Sequence, residues 1–356
     1  MKHEVLSTRQ LNRALLARQH LLERRDAPLT QVIDELGGLQ TQYAPSGYIS
    51  LWSRMNGFQR ADLTRAMEAR EAIHGTLMRV TIHTVSATDY WPMAIAVRQA
   101  RREWFASAWR RVARSVDMEA AAAAGREILS GTTLRVAELK RRMAERGFEG
   151  NGWALWVDLV RVPPSGTWER RMNDLYALAD EWLPPESVHP DGLPTEEDGL
   201  RLMLRRYLTA FGPARPTDFA EWAGIRMRRV QPIIDSFELR RFSDELGHEL
   251  IDLPGLPLPD PETTAPVRFL APFDPTTLVS CRRTQILPDD LRPTIFTRST
   301  PWSVGMFLVD GHICGTWRYE AGRVTTDALV ELTADARREV AEEAARLAEF
   351  HADGDG

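Results

Sequence analysis

Apolar side chains recur at helical spacing where the chain opens. Leu11, Leu15, Leu16, Leu21 and Leu22 form one stripe, so residues 7–24 are expected to form a helix capped by Ser7 or Thr8. Helices are expected next over 28–36, 48–55 and 60–70, and the alternation over 72–78 and 81–86 predicts two strands closing a wing. Short helices followed by a β-hairpin is the order of a winged helix. Residues 1–115 are assigned to this first unit, including a long helix that begins near Asp89. The order then repeats. Helices over 117–129 and 134–146 lead to strands over 159–162 and 167–170 around a Pro-Pro-Ser-Gly turn, giving a second unit over 116–194. A third, 195–253, has helices over 196–211, 217–222 (with Thr217 as N-cap) and 227–237, and a wing over 239–242 and 248–252. Beyond a proline-rich linker at 254–266, strands are expected over 267–270, 294–297, 304–309, 312–318 and 323–325, with Asp310-Gly311 as a hairpin turn and a closing helix over 334–350. The fold class is α+β, mainly α: three tandem winged-helix units in a curved scaffold plus a C-terminal α+β unit over 254–356.

Between the second and third predicted helices stands L-G-G-L-Q-T-Q-Y-A-P-S-G, where the Gly37-Gly38 pair stops a helix and residues 44–47 form a turn. Gln40 and Gln42 alternate. On a helix they would point to opposite sides, whereas on an extended segment they share a face. They read either as a loop or capping pair, or as two amides aimed at one pocket that orient a water or polar atom without exchanging a proton. Tyr43, Trp52 and Arg54 flank them; Trp52 belongs to an Ile49-Trp52-Met55 stripe and is expected in the core.

Composition narrows the chemistry. With 356 residues, 43% hydrophobic and 27% charged, the chain is long enough for several modules with a large core. It has no run of 18 apolar residues and no signal-peptide core, which predicts a cytoplasmic protein with no membrane partner. Two cysteines, Cys281 and Cys314, without C-x-x-C or H-E-x-x-H, argue against a metal or disulfide role. G-x-S-x-G, G-x-x-x-x-G-K-[ST] and G-x-G-x-x-G are also missing, so nucleotide and α/β hydrolase chemistry is disfavoured, and neither metal nor cofactor is expected.

The net charge of -5 is unevenly spread. Of 45 basic residues only Lys2 and Lys140 are lysine. RQARREWFASAWRRVAR, residues 98–114, carries Arg98, Arg101, Arg102, Arg110, Arg111 and Arg114 with Trp104, Phe105 and Trp109 between them. It reads either as a grip on phosphates and bases, or as an amphipathic connector with its aromatics in the core and its arginines merely solvated.

The segments LNRALLARQHLLER (11–24), GLQTQYAPSGYISLWSRM (38–55), MRVTIHTVSATDY (78–90), PFDPTTL (272–278) and LVDGHICGTWR (308–318) together resemble the AlkZ/YcaQ-like winged-helix DNA glycosylases. This resemblance implies a monofunctional DNA glycosylase that hydrolyses the N-glycosidic bond of N7-alkylguanine, including bulky adducts and interstrand crosslinks, for DNA repair or self-resistance. It implies the Gln-x-Gln subgroup, with Gln40 and Gln42 catalytic and Tyr43 beside them. Thr81 and His83 match the family's Thr-x-His, where His83 either hydrogen-bonds the glutamines or DNA, or is a satisfied strand histidine. Position 80 departs from the family pattern, having Val80 in place of glycine. Arg98, Arg101, Arg102, Arg110 and Arg111 are then the DNA-binding residues, the partner is double-stranded DNA with alkylated purines, and the protein acts as a nucleoid-associated monomer. A winged-helix transcriptional regulator and a non-catalytic lesion-binding protein are the alternatives.

Overall fold

The computed structural model describes residues 3–278, 285–295 and 304–352. Strand β1 (Glu4–Leu6) precedes helix α1 (Thr8–Arg18), where Ser7 accepts the Gln10 N–H and Gln10 reaches back to the Ser7 N–H, a capping box. The helix ends six residues short of the expected 24; His20, with φ 53°, turns the chain. Then come α2 (Leu29–Glu35), β2 (Leu39–Gln40), α3 (Pro45–Arg54), α4 (Arg60–Glu68), β3 (Ala72–Thr76) and β4 (Ile82–Ser86). Helix α3 begins inside the expected turn, because Pro45 occupies a first-turn position, where its missing N–H costs nothing.

Ser86 caps α5 (Ala87–Ala108). The single basic helix expected through residue 114 breaks at Trp109 (φ -123°, ψ 46°), and α6 (Arg110–Ser115) continues in a new direction. The second segment holds α7 (Met118–Leu129), β5 (Leu134–Arg135), α8 (Val136–Glu145), β6 (Leu159–Arg161) and β7 (Leu175–Leu178). Here the expected hairpin partner is wrong: β6 pairs with 175–178, not 167–170. Residues 163–174 form a loop cinched by Ser165, whose hydroxyl donates to the Met172 carbonyl at 2.8 Å and accepts from the Asp174 N–H at 2.8 Å. Two short helices, α9 (Ala179–Trp182) and α10 (Pro185–Val188), lead to the third segment.

There, α11 (Glu196–Phe211), α12 (Pro216–Ala223) and α13 (Met227–Asp235) precede the antiparallel pair β8 (Arg240–Asp244) and β9 (Glu249–Asp252). The N-cap of α12 is Arg215 rather than Thr217, again because a proline, Pro216, starts the first turn. The C-terminal segment has β10 (Arg268–Leu270), α14 (Pro275–Leu278), α15 (Arg292–Ile295), β11 (Gly305–Val309), β12 (His312–Glu320), β13 (Arg323–Ala328) and α16 (Ala334–Ala352). Asp310-Gly311, both with positive φ, makes the β11–β12 turn. The strand expected over 294–297 is helical as far as Ile295; the rest of it, and Cys281, lie outside the described residues.

Helices followed by an antiparallel pair recur in all three segments, but the pairs do not stand apart. β3 pairs with β6, His74 opposite Arg161 and Gly75 opposite Val160, which fuses the first two wings into one six-stranded sheet ordered β2-β4-β3-β6-β7-β5. β1 adds parallel to β8, with Glu4 opposite Phe242. One continuous core runs from Leu15 and Leu16 on α1 through Met93, Ala94 and Val97 on α5 to Met203, Leu204 and Phe219. A second lies under α3, where Tyr48 and Trp52 meet Phe269, Phe307, Leu347 and Phe350. Trp52 is in this core, as its stripe predicts. At about 25 cal/mol per Å2 of apolar surface removed from water, each such buried side chain contributes roughly 2 kcal/mol before entropy is counted.

Arg54 closes the floor of α3. It forms a fork with Asp274, at 2.9 Å and 2.8 Å, and neither side chain has exposure to solvent. Asp274 also accepts from the Thr276 N–H and hydroxyl, so the PFDPTTL motif has a structural account: it supplies the anchor for the helix behind the glutamines.

Candidate active site

The glutamines stand on an extended segment, the condition under which they share a face. Gly37 and Gly38, with φ 73° and 83°, end α2 in the left-handed region. Gly38 admits no side chain, because a Cβ there would sit 2.9 Å from Val85 Cγ1. The chain then runs antiparallel to β4, with Leu39 opposite Thr84, Gln40 opposite His83, and the Thr41 N–H donating to the Ile82 carbonyl at 2.9 Å. Alternation sends Thr41 inward, where it is fully buried, and leaves Gln40 half-buried and Gln42 exposed.

Each amide oxygen is held from the protein side. Gln42 Oε1 accepts from the Ile82 N–H at 3.3 Å. Gln40 Oε1 accepts from the Arg79 guanidinium at 2.8 Å, and Arg79 also donates to the Trp222 carbonyl at the end of α12. Since both neighbours are donors, the oxygens face them and the NH2 groups face away. Arg79 and Val80 lie in a tight turn between β3 and β4 with φ 53° and 59°. Val80 thus adopts the left-handed conformation that glycine reaches without strain, which explains what its departure from the family pattern changes. Thr81 closes this turn, its hydroxyl donating to the Met78 carbonyl at 3.0 Å.

His83 is 2% exposed and lies directly across from Gln40. Its Nδ1–H donates to the Thr81 carbonyl at 3.1 Å, leaving Nε2 as an acceptor. Burial, and secondly the Arg79 guanidinium, push its pKa down to about 3. Burial alone lowers Arg79 to about 10, so it remains charged at neutral pH. His83 is therefore a neutral strand residue beside the amide.

Behind the pair, Thr84 donates to the Thr41 hydroxyl at 3.0 Å, and Asn173 Nδ2 donates to the Thr41 carbonyl at 3.2 Å. Asn173 comes from the loop at 163–174, which the joined sheet carries against the first segment. Tyr43, 38% exposed, accepts at 3.4 Å from Arg171 of the same loop. Tyr43 and Arg171 line a cavity of about 490 Å3 with Phe273, Arg318, Tyr319 and His351, and Tyr319 stacks on His351 at 4.2 Å. Among the described residues no cluster of three or more His, Cys, Asp or Glu is arranged to hold a metal ion, and no helix is long and apolar enough to cross a membrane.

Comparison with known proteins fits this arrangement. A family model described as DNA glycosylase AlkZ-like matches residues 33–350, nearly the whole chain. The chain belongs to the AlkZ-like DNA glycosylase family. It is similar to a curated Streptomyces sahachiroi protein named interstrand DNA cross-link repair glycosylase, 22% identical over 87% of each chain. In fold it resembles the solved DNA glycosylase AlkZ of Streptomyces sahachiroi, with a TM-score of 0.80 at 20% identity over 99% of this chain and 98% of that one. As an AlkZ-like glycosylase the chain is an enzyme acting on N-glycosyl bonds, which sets aside the transcriptional-regulator reading.

The arginines proposed to hold DNA separate into two groups. Arg101 is buried: it pairs with Asp158 at 2.6 Å and donates to the Thr76 carbonyl at 2.8 Å, so it ties α5 to the sheet with its guanidinium turned away from solvent. Arg98 shares Asp158 at 2.6 Å, and Arg102 reaches Glu119 and the Trp156 ring. Beyond the break, Arg110, Arg111 and Arg114 are exposed and, among the described residues, in no ion pair. The aromatics divide likewise, Phe105 in the core and Trp104 and Trp109 exposed. Two residues central to the site, Arg79 and Asn173, escaped the sequence reading. Arg79 lies within the quoted 78–90 motif, where the glycine missing at 80 was the available signal; Asn173 had none.

Proposed function

We propose that this chain is a monofunctional DNA glycosylase that hydrolyses the N-glycosidic bond of N7-alkylguanine in double-stranded DNA, with Gln40 and Gln42 placing the attacking water and the sugar. The observation that carries this reading is a site rich in oriented amides with no proton to give. Burial pushes His83, across from Gln40, down to about 3, and among the described residues no carboxylate is hydrogen-bonded to the glutamines. Ordinary glycoside hydrolysis relies on a carboxyl pair, one of them a general acid. An N7-alkylated guanine is already cationic and leaves as a neutral base, so orientation and electrostatics suffice. The named relative acts in cross-link repair, and interstrand crosslinks are accordingly proposed as substrates here too. Arg110, Arg111 and Arg114 are assigned to phosphate contacts, and the enzyme is proposed to act as a monomer on the nucleoid.

The test is single-turnover base release from N7-methylguanine duplex by wild type, Gln40→Ala and Gln42→Ala. Each variant should lose on the order of 10² to 10³ in rate with DNA affinity within a few-fold. Lesion binding without any base release by wild type would make the chain a lesion-binding protein. Borohydride should trap no covalent adduct: a Schiff base needs an amine, only Lys2, Lys140 and the N-terminus could supply one, and neither lysine is near the glutamine pair in sequence. A trapped adduct would exclude the monofunctional reading.

A further inference from the structure

We infer that Arg79 is the positioning residue of Gln40, and that it makes the amide's orientation depend on the docking of the third segment against the first. Three observations meet at this side chain. One guanidinium nitrogen donates to Gln40 Oε1 at 2.8 Å, while the other donates to the Trp222 carbonyl at the C-terminal end of α12. The backbone of Arg79 is in the left-handed region, φ 53°, followed by Val80 at φ 59°, a pair of conformations that a non-glycine chain adopts only where its surroundings impose them. Gly224, the left-handed cap of α12, lets that turn come close: a Cβ on Gly224 would lie 2.9 Å from the Arg79 nitrogen and 3.0 Å from its Cα.

The chemical consequence concerns the direction of the amide. A glutamine side chain on an open surface flips between two nearly equivalent orientations. A guanidinium has donors only, so its contact fixes oxygen inward and directs both N–H groups of Gln40 away from it. Its charge also polarises the amide and strengthens those N–H donors. The anchor on Trp222 holds the guanidinium in place, so a shift of α12 moves the amide.

This inference rests on the glycosylase reading, and its experiment separates the two. Arg79→Ala, Arg79→Lys and Gly224→Ala are compared with Gln40→Ala and the double variant Arg79→Ala/Gln40→Ala, by single-turnover release and by affinity for N7-methylguanine duplex. Arg79→Ala should lose on the order of 10² in rate with unchanged affinity. Lysine, which has no fork to reach both acceptors, should not restore it. Gly224→Ala, with no contact to Gln40, should show the same pattern, and the double variant should be no slower than Gln40→Ala alone. Independently of activity, the side-chain NH2 resonances of Gln40 in 15N-labelled protein should be dispersed in wild type and collapse toward solvent values in Arg79→Ala. Unchanged resonances would overturn the inference whatever the rates. So would multiplicative losses in the double variant, or weaker binding with a salt slope smaller by about 0.9, which would make Arg79 a phosphate contact instead. Should Gln40→Ala release base at the wild-type rate, the glycosylase role of the amide fails while the resonance comparison still decides the role of Arg79.

Discussion

Arg101 and Asp158 meet at 2.6 Å beneath the surface of the basic helix, with the arginine side chain only 4% exposed. A residue in this position holds α5 to the sheet. Arg101→Ala leaves a buried carboxylate with one partner fewer and should destabilise the fold by about 3 to 5 kcal/mol, read by urea unfolding. Replacing Arg110, Arg111 and Arg114 together by alanine should leave unfolding within about 0.5 kcal/mol and flatten the salt dependence of DNA binding by up to about 0.9 for each arginine that grips a phosphate. The opposite pattern would return Arg101 to the interface.

Val80→Gly should be stabilising. The present φ of 59° costs a β-branched residue about 1 to 2 kcal/mol, and the extra freedom glycine gives the unfolded chain removes part of that gain, about 0.4 to 1 kcal/mol. A rise in melting temperature is expected, and a fall would show that the valine side chain packs better than its backbone suffers.

Burial lowers His74 to about 4, His83 to about 3 and His351 to about 4, with neighbouring arginines adding to the effect. A histidine whose folded pKa is depressed stabilises the fold above its unfolded value near 6.5, and that contribution drains away as pH falls toward the folded value. Melting temperature should therefore drop between pH 6.5 and 4. His74, wholly enclosed, should account for roughly 3 kcal/mol at the acid end. His74→Gln should show a shallower decline over that window; an equally steep one would place the loss elsewhere. Base release should show no histidine-like inflection between pH 5.5 and 8.

Arg54 and Asp274 are both fully enclosed. Arg54→Ala should cost about 3 to 5 kcal/mol and loosen α3, whereas Arg54→Leu with Asp274→Leu should recover much of it, since removing both charges leaves neither one stranded. Equal losses in the single and double variants would mean that the packing of the stems, not the charge pair, carries the stability.

What could be read beforehand was local. The extended setting of Gln40 and Gln42 follows from Gly37-Gly38, the β11–β12 turn from Asp310-Gly311, and the core position of Trp52 from its stripe. The misplaced boundaries at α3 and α12 share one cause, a proline left outside the helix that it starts. What stayed hidden depends on distant partners. Neither the guanidinium on Gln40 nor the Asn173 amide on the Thr41 carbonyl leaves a periodic trace, and the buried fate of Arg101 was set by an aspartate 57 positions away.

The parallel pairing of β1 with β8 bears on how the chain is made. The hydrogen bond from Thr8 to Glu245 spans 237 positions, and Arg13 on α1 is tied to Asp310, 297 positions on. During synthesis at about 5 to 20 residues per second, the β1–α1 arm must therefore wait many seconds for its partners to emerge. Through that interval the amphipathic α1 exposes its leucines, so chaperone occupancy on the ribosome should concentrate there and end once the third wing is out.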